Sequence, residues 1–192
     1  METPDFVYLD EHGLLGSNYY WHKCTAHGLT QEDVTSAGVT NDRVLVHKDL
    51  IAPLQEVDQE LQKRGFRLYV KEGLRPEALY RIVYDRRVEK FGKETTDSLL
   101  NMTDMPHAKG LSVDVTLWDA SSNTEVLMRR REDGVPSLFV GFYRGKDDDD
   151  SRKYQEMQDY LAGIMLERDF RIGTKNEFFH FDYRPGTPPN YV

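Results

Sequence analysis

Two polar segments, one in the middle of the chain and one near its end, constrain the fold most strongly. The first contains His107 and Asp114, and the second contains Glu177 and His180. The set His107, Asp114 and His180 provides two imidazoles and a carboxylate, which is a complete protein ligand set for a catalytic zinc with an open fourth position. A fold that uses this set must bring the two segments together.

The segment that contains Asp114 has the pattern of a strand preceded by a loop. Apolar and polar residues alternate from Leu111 to Leu117, which predicts a strand with Asp114 on its polar face. Gly110 allows the backbone to turn, so that a loop presents His107 and the strand presents Asp114 to the same ion. A loop histidine and a solvent-facing carboxylate with no shared ligand fit the same pattern about equally well.

Glu177 and His180 form a Glu-x-x-His pair within an aromatic segment that favours a strand. In a regular strand these two side chains point to opposite faces, so a shared site requires a bulge or a strand end. With that geometry, Glu177 is a candidate proton acceptor for a metal-activated water. The alternative is an ordinary hairpin with Glu177 on the surface and His180 packed.

Arg75 lies in the turn Gly73–Pro76, close in sequence to Glu72. A guanidinium stays charged and offers a planar set of donors, which suits the stabilisation of a developing oxyanion. A surface arginine or a salt bridge at the end of a helix is the alternative.

The rest of the chain predicts a single α+β domain over residues 1–192. Apolar stripes predict three helices: one from Asp49 to Gly65, one from Pro76 to about Phe91, and one that begins at Ser151. Because strands and helices do not alternate regularly, we expect a small, mostly antiparallel sheet flanked by about three helices, with the metal in the central cleft.

Further local expectations concern the segments between these elements. We expect short strands around Tyr8, Tyr19 and Val44–Val46, a strand over Phe66–Lys71, and a final hairpin of Phe170–Ile172 and Phe178–Tyr183. The segment from Lys93 to Lys109 is expected to be mostly loop, and the region from Trp118 to Asp150 has no clear pattern.

The net charge of −8 disfavours binding to nucleic acid and to anionic membrane surfaces. No apolar run reaches the length of a membrane span, and no secretory signal is visible at the N-terminus, so we expect a cytoplasmic protein. Cys24 is the single cysteine, which excludes an intramolecular disulfide. The oligomeric state stays open.

With these residues in place, the chain resembles the zinc D-Ala-D-Ala dipeptidases, including those of vancomycin resistance, within the zinc D-alanyl peptidases. The resemblance rests on the Gly73–Pro76 turn, on His107, Gly110 and Asp114, and on Glu177-Phe178-Phe179-His180. It implies that His107, Asp114 and His180 bind one Zn²⁺ per chain. It also implies that Glu177 is the general base and then the acid, and that Arg75 stabilises the tetrahedral intermediate.

The chain departs from that family at positions associated with the substrate. Met105 and Pro106 precede the first histidine where the family has a serine two residues before it, and Phe179 stands where the family has tryptophan. Val140 stands where the family has a carboxylate that holds the substrate amine. The resemblance implies that the partner is D-Ala-D-Ala or a related short peptide, and a cell-wall stem peptide is the alternative. A non-catalytic metal-binding or peptide-binding module is a third interpretation.

Three other features of the sequence are weaker. His22, Cys24 and His27 have no fourth ligand nearby, so a second metal site is not expected. The aromatic residues Tyr19, Tyr20 and Trp21 either line the cleft or belong to the core. The four acidic residues Asp147–Asp150 are typical of a solvated charge run.

Overall fold

A computed structural model describes residues 5–191. The sheet at its centre has the order β2-β4-β5-β8-β7, with the short β6 paired to β5. All pairings are antiparallel except the parallel pair β2 and β4. The strands are β1 Phe6–Tyr8, β2 Leu15–Gly16, β3 Leu45–His47, β4 Phe66–Glu72, β5 Ser112–Asp119, β6 Thr124–Glu125, β7 Phe170–Ile172 and β8 His180–Tyr183; β1 and β3 form a separate pair.

Among residues 5–191, three long helices and three short ones complete the α+β architecture. The three long helices are the ones that the sequence predicted. The helices are α1 Tyr19–Lys23, α2 Gln31–Ser36, α3 Ile51–Gln62, α4 Glu77–Phe91, α5 Lys93–Leu99 and α6 Asp149–Leu166. None of these helices has the length and apolar character of a bilayer-spanning segment within residues 5–191.

The main core lies between one face of the sheet and helices α3 and α6. Val113, Val115 and Leu117 of β5 and Phe181 of β8 point to this side and are fully buried. The alternation of a strand therefore sends Asp114 and His180 to the other face. A second, smaller core joins α1, α2 and α4 beside that face; its members are Tyr20, Cys24, Leu29, Val34, Ala37, Val39, Leu79 and Val83.

Two local predictions were wrong. The strand expected around Tyr19 is helix α1, because the Asn18 side chain accepts a hydrogen bond from the Trp21 backbone N–H and caps a helix there. The loop expected from Lys93 to Lys109 contains α5 and a 3₁₀ turn, Pro106–Lys109.

Candidate metal centre

His107 reaches the site from the 3₁₀ turn Pro106–Lys109. Met105 before it adopts a left-handed backbone with φ 41°, and Gly110 after it has φ 65°. A side chain at Gly110 would come within 2.8 Å of the Phe6 ring, so glycine is required for both conformation and space. The turn is further held by a 2.9 Å hydrogen bond from the His107 backbone N–H to the Tyr80 hydroxyl.

The other two candidate ligands are opposed on neighbouring strands. Asp114 of β5 pairs directly with His180 of β8. Glu177 and His180 are joined by a turn in which the His180 backbone N–H donates to the Glu177 carbonyl at 3.3 Å. His180 is the first residue of β8, so the strand end that the sequence required lies between Glu177 and His180.

The three donor atoms form a compact triangle. Nδ1 of His180 lies 2.9 Å from Oδ1 of Asp114 and 3.0 Å from Nε2 of His107, and the third side is 3.3 Å. A tetrahedral ion with bonds of about 2.0 to 2.1 Å holds its ligand atoms roughly 3.3 Å apart. The donor set therefore fits a metal ion such as zinc.

The proton positions on the two imidazoles follow from their outer partners. Nδ1 of His107 lies 2.8 Å from the carbonyl oxygen of Gly73, which only accepts, so Nδ1 carries the hydrogen. Nε2 of His180 lies 3.1 Å from Oδ1 of Asp182 and donates to that carboxylate. With neutral rings, both inward nitrogens then present lone pairs, as does Asp114. Three lone pairs in contact require a cation between them, either a proton or a metal ion.

The charges around the triangle show the same preference for a cation. Burial alone would lower the pKa of His180, but hydrogen bonds to Asp114 and Asp182 outweigh it and raise that pKa to about 10. Burial would raise the pKa of Asp114, but the two histidines lower it well below its ordinary value. Because zinc requires neutral imidazoles, a metal ion would take the place of the proton on His180.

Glu177 is a buried carboxyl beside the triangle. Among residues 5–191, none donates a hydrogen bond to its side-chain oxygens. Its pKa is raised to about 7, first by burial and second by the negative charge of Asp114. An isolated bridge between Glu177 and Phe139, with a 2.9 Å hydrogen bond from the Val140 N–H to the Asn176 carbonyl, supports the turn that carries it.

Arg75 is also buried, and Glu72 compensates its charge. Its Nε donates to the Glu72 carboxylate at 2.7 Å, and its Nη2 donates to the other carboxylate oxygen. The guanidinium lies over the rings of Tyr80 and Tyr20, at 4.4 and 5.0 Å from their centres. Glu72 is the register partner of Asp114, so the ion pair is adjacent to the triangle. The salt bridge considered from the sequence is present, but it is buried and not on the surface.

Two residues that matter to this site were not found from the sequence. Asp182 is 5% exposed, and it accepts hydrogen bonds from Ser112 at 2.7 Å and Arg184 at 2.8 Å as well as from His180. Its position two residues after His180 on the same strand face was the available signal. Glu72 was noted only as a neighbour of Arg75 in sequence.

The described residues contain no other cluster of three or more potential metal ligands. Cys24 is buried against Gln31, and His22 lies near Asp42 on the surface, so the residues of that sequence motif do not converge.

Comparison with known proteins gives matches among solved structures alone. No protein-family profile matches the chain, and no curated protein matches it. It is similar to the vancomycin-resistance D,D-dipeptidase VanXYg, solved in complex with a D-Ala-D-Ala phosphinate analogue, at 18% identity over 93% of this chain and 66% of that one, with a TM-score of 0.49.

It is also similar to the LD-carboxypeptidase LdcB, whose structure was solved to explain peptidoglycan recognition. The identity is 17% over 72% of this chain and 59% of that chain, with a TM-score of 0.48. The chain thus spans less than two thirds of both proteins, and at this identity the likeness concerns the fold alone.

Proposed function

We propose that the chain is a zinc-dependent peptidase that hydrolyses D-Ala-D-Ala or a related short peptide containing D-amino acids. The observation that carries this proposal is the convergence of three lone pairs, from His107, Asp114 and His180, beside the Glu177 carboxyl. A bound zinc would polarise the scissile carbonyl and lower the pKa of a coordinated water towards about 7.

Glu177 would move the proton. A carboxyl with a pKa near the working pH can accept a proton from the attacking water and then deliver it to the leaving amine. Burial sets that pKa at about 7, and the lack of a hydrogen-bond donor leaves the carboxylate oxygens available. A site that only stores a metal ion does not need a carboxyl whose pKa lies near the working pH.

Arg75 would face the developing oxyanion. Burial opposes its charge, but Glu72 raises the pKa of Arg75 well above its ordinary value, so the guanidinium is always charged. Within residues 5–191, the donors on Nη1 have no recorded acceptor, and they are the ones left for substrate. The two tyrosine rings hold the planar group in one orientation, as electrostatic stabilisation of a transition state requires.

The depth of the site supports a short substrate over a long cell-wall strand. Arg75, His107 and Glu177 are each 9% exposed or less. A peptide must reach three groups that the protein almost fully covers, which a free dipeptide does more readily than a cross-linked stem peptide.

The test is hydrolysis by the metal-free protein reconstituted with zinc. We would measure release of free amino acid from D-Ala-D-Ala, from a pentapeptide stem that ends in D-Ala-D-Ala, and from L-Ala-L-Ala as a control. The expected result is zinc-dependent cleavage of D-Ala-D-Ala that is lost in Glu177→Gln, while Glu177→Gln still binds about one zinc per chain.

The other outcomes assign the alternatives. Cleavage of the stem peptide but not of the dipeptide would favour a cell-wall carboxypeptidase or endopeptidase. Stoichiometric zinc binding with no hydrolysis of any of these peptides would favour a non-catalytic binding module. Full activity of Glu177→Gln would rule out the proposed mechanism.

A further inference from the structure

Beside the metal centre, Tyr19, His27 and Arg87 form a chain of hydrogen bonds that the proposed mechanism does not use. Nη1 of Arg87 lies 2.6 Å from Nδ1 of His27, and Nε2 of His27 lies 3.1 Å from the Tyr19 hydroxyl. We call these three residues the Arg87 relay. They come from α4, from the 3₁₀ turn Cys24–His27 and from the first position of α1.

The charge of Arg87 has no anionic partner in the described part of the chain. Its side chain is 8% exposed, its Nε is buried without a hydrogen-bond acceptor, and no carboxylate of residues 5–191 lies within 4.0 Å. It also lies over the ring of Phe91, 5.2 Å from its centre. Burying a charge without a partner is costly, so a site of this kind is complementary to an anion. By contrast, the buried charge of Arg75 is paired with the carboxylate of Glu72.

The directions of the hydrogen bonds follow from the donors. A guanidinium only donates, so Nδ1 of His27 accepts. Burial and the nearby charge of Arg87 lower the pKa of His27 to about 4, and the ring is therefore neutral at pH 7. A neutral imidazole that accepts at Nδ1 carries its hydrogen on Nε2 and donates it to the Tyr19 oxygen.

The hydroxyl hydrogen of Tyr19 is thereby left to donate elsewhere. No acceptor for it is recorded within residues 5–191, and the pKa of Tyr19 is raised by burial, so the hydroxyl stays protonated. The relay thus ends in an unused O–H donor whose oxygen is polarised by a neutral histidine and, behind it, by a positive charge.

The end of the relay is close to the metal centre. The ring of Tyr20 packs against His27, with centres 5.4 Å apart, and also lies under the Arg75 guanidinium. Tyr19 precedes Tyr20 and its ring contacts that of Tyr20, with centres 5.6 Å apart, so Tyr19 lies beside the ring that packs on Arg75. A group bound by Tyr19 is therefore near the point at which the substrate would react.

We propose that the Arg87 relay binds the free terminal carboxylate of the peptide substrate, with the Tyr19 hydroxyl as the direct donor and Arg87 as the compensating charge behind His27. This inference rests on the proposed function and narrows its substrate class to peptides with an unblocked C-terminus. In a chain with a net charge of −8, an uncompensated buried cation is the feature that selects an anion.

The test compares D-Ala-D-Ala with its C-terminal amide as ligands of the zinc-loaded Glu177→Gln protein, by calorimetry. We expect the acid to bind at least about tenfold more tightly than the amide, because a hydrogen bond to a charged group is lost in the amide. Adding Tyr19→Phe, which retains the ring contacts to Tyr20 and His27, should remove that difference by weakening acid binding alone. The matched control is Tyr84→Phe. It removes the hydroxyl of a different tyrosine, on α4, that donates a hydrogen bond to Asp97 of α5.

Arg87→Gln should give the same result as Tyr19→Phe. Because Tyr19→Phe removes only one oxygen atom, the test remains valid even if the arginine variant does not fold. Equal binding of acid and amide, or an equal loss of both in Tyr19→Phe, would overturn the subsite.

The two proposals fail separately. Equal hydrolysis of acid and amide by the unmodified protein would retain the peptidase and reject the relay. Tyr19-dependent binding of the acid without any hydrolysis would retain the relay and reject the peptidase.

Discussion

Asp114 and His180 lie directly opposite one another on β5 and β8, with Oδ1 and Nδ1 2.9 Å apart. The next pair on the same face is Ser112 and Asp182, whose hydroxyl and carboxylate are 2.7 Å apart. One pair supplies candidate ligands and the next pair orients them. A slip of β8 by one residue relative to β5 would send His180 and Asp182 to the apolar face of the sheet, so strand pairing itself specifies the candidate metal centre.

Removing the Asp182 carboxylate should weaken zinc binding. Asp182→Ala leaves Nε2 of His180 without its acceptor, so the ring loses both its orientation and its tautomer preference. We expect the zinc affinity, measured by competition with a chelator, to fall by about 10- to 100-fold. Asp119→Ala removes a half-buried carboxylate from the end of the same β5 and should leave the affinity unchanged. An unchanged affinity in Asp182→Ala would contradict this role.

A methyl group at Gly173 should disturb the same histidine. A side-chain carbon at this position would lie 2.2 Å from Cδ2 of His180 and 2.7 Å from its Nε2. Gly173→Ala should therefore lower zinc affinity and the thermal stability of the zinc-loaded protein. Gly163→Ala, in the last turn of α6 with no atom within 4 Å of the added carbon, is the control and should stabilise by about 0.5 to 1 kcal/mol. If both variants retain zinc equally, the close contact has no effect on the ligand.

The buried pair of Glu72 and Arg75 allows structural and catalytic roles to be separated. Glu72→Met leaves a buried guanidinium unpaired and should destabilise the fold by about 3 to 5 kcal/mol. In Glu72→Met/Arg75→Met no buried charge remains, so much of that stability should return in denaturant unfolding. Under the proposed mechanism, in which Arg75 stabilises the oxyanion, activity should stay low in the double variant. A double variant that is both stable and active would show that Arg75 serves the fold alone.

The raised pKa of Glu177 predicts a stability cost that grows with pH. The pKa of Glu177 in the folded protein is about 7, above the ordinary value of 4.5. This carboxyl therefore costs no stability below pH 4.5. The cost grows as the pH rises from 4.5 towards 7 and is complete above pH 7. Glu177→Gln should therefore stabilise the metal-free protein at pH 8, by on the order of 3 kcal/mol, and have little effect at pH 4. Urea unfolding at the two pH values measures this. An equal gain at both would show that ionisation is not the cause.

Much of the fold could be predicted because long periodic segments carry a strong signal. The apolar stripes of α3, α4 and α6 and the alternation of β5 were sufficient to assign those elements. The two motifs also identified the triangle, since the spacing around Gly110 and the Glu-x-x-His pair requires the turn and the strand end that the structure has.

The short elements were harder to predict because capping interactions determine them. Tyr19 to Trp21 have a high strand propensity, yet the Asn18 cap starts a helix. Thr30 and Asp33 form a reciprocal capping box before α2, which was a readable signal in the sequence. Arg87 gave no signal, since its pattern is that of an ordinary helix residue and its isolation appears only when distant segments pack around it.

The pairing of Phe139 with Glu177 has a further consequence for how the protein can change. The segment between β5 and α6 contacts the turn that carries Glu177, the proposed proton-transfer group, whereas the three candidate ligands are held by β5, β8 and the turn at His107. Insertions or substitutions in that segment can therefore change the position of Glu177 while the candidate metal ligands stay in place. Metal affinity and turnover can diverge independently during evolution.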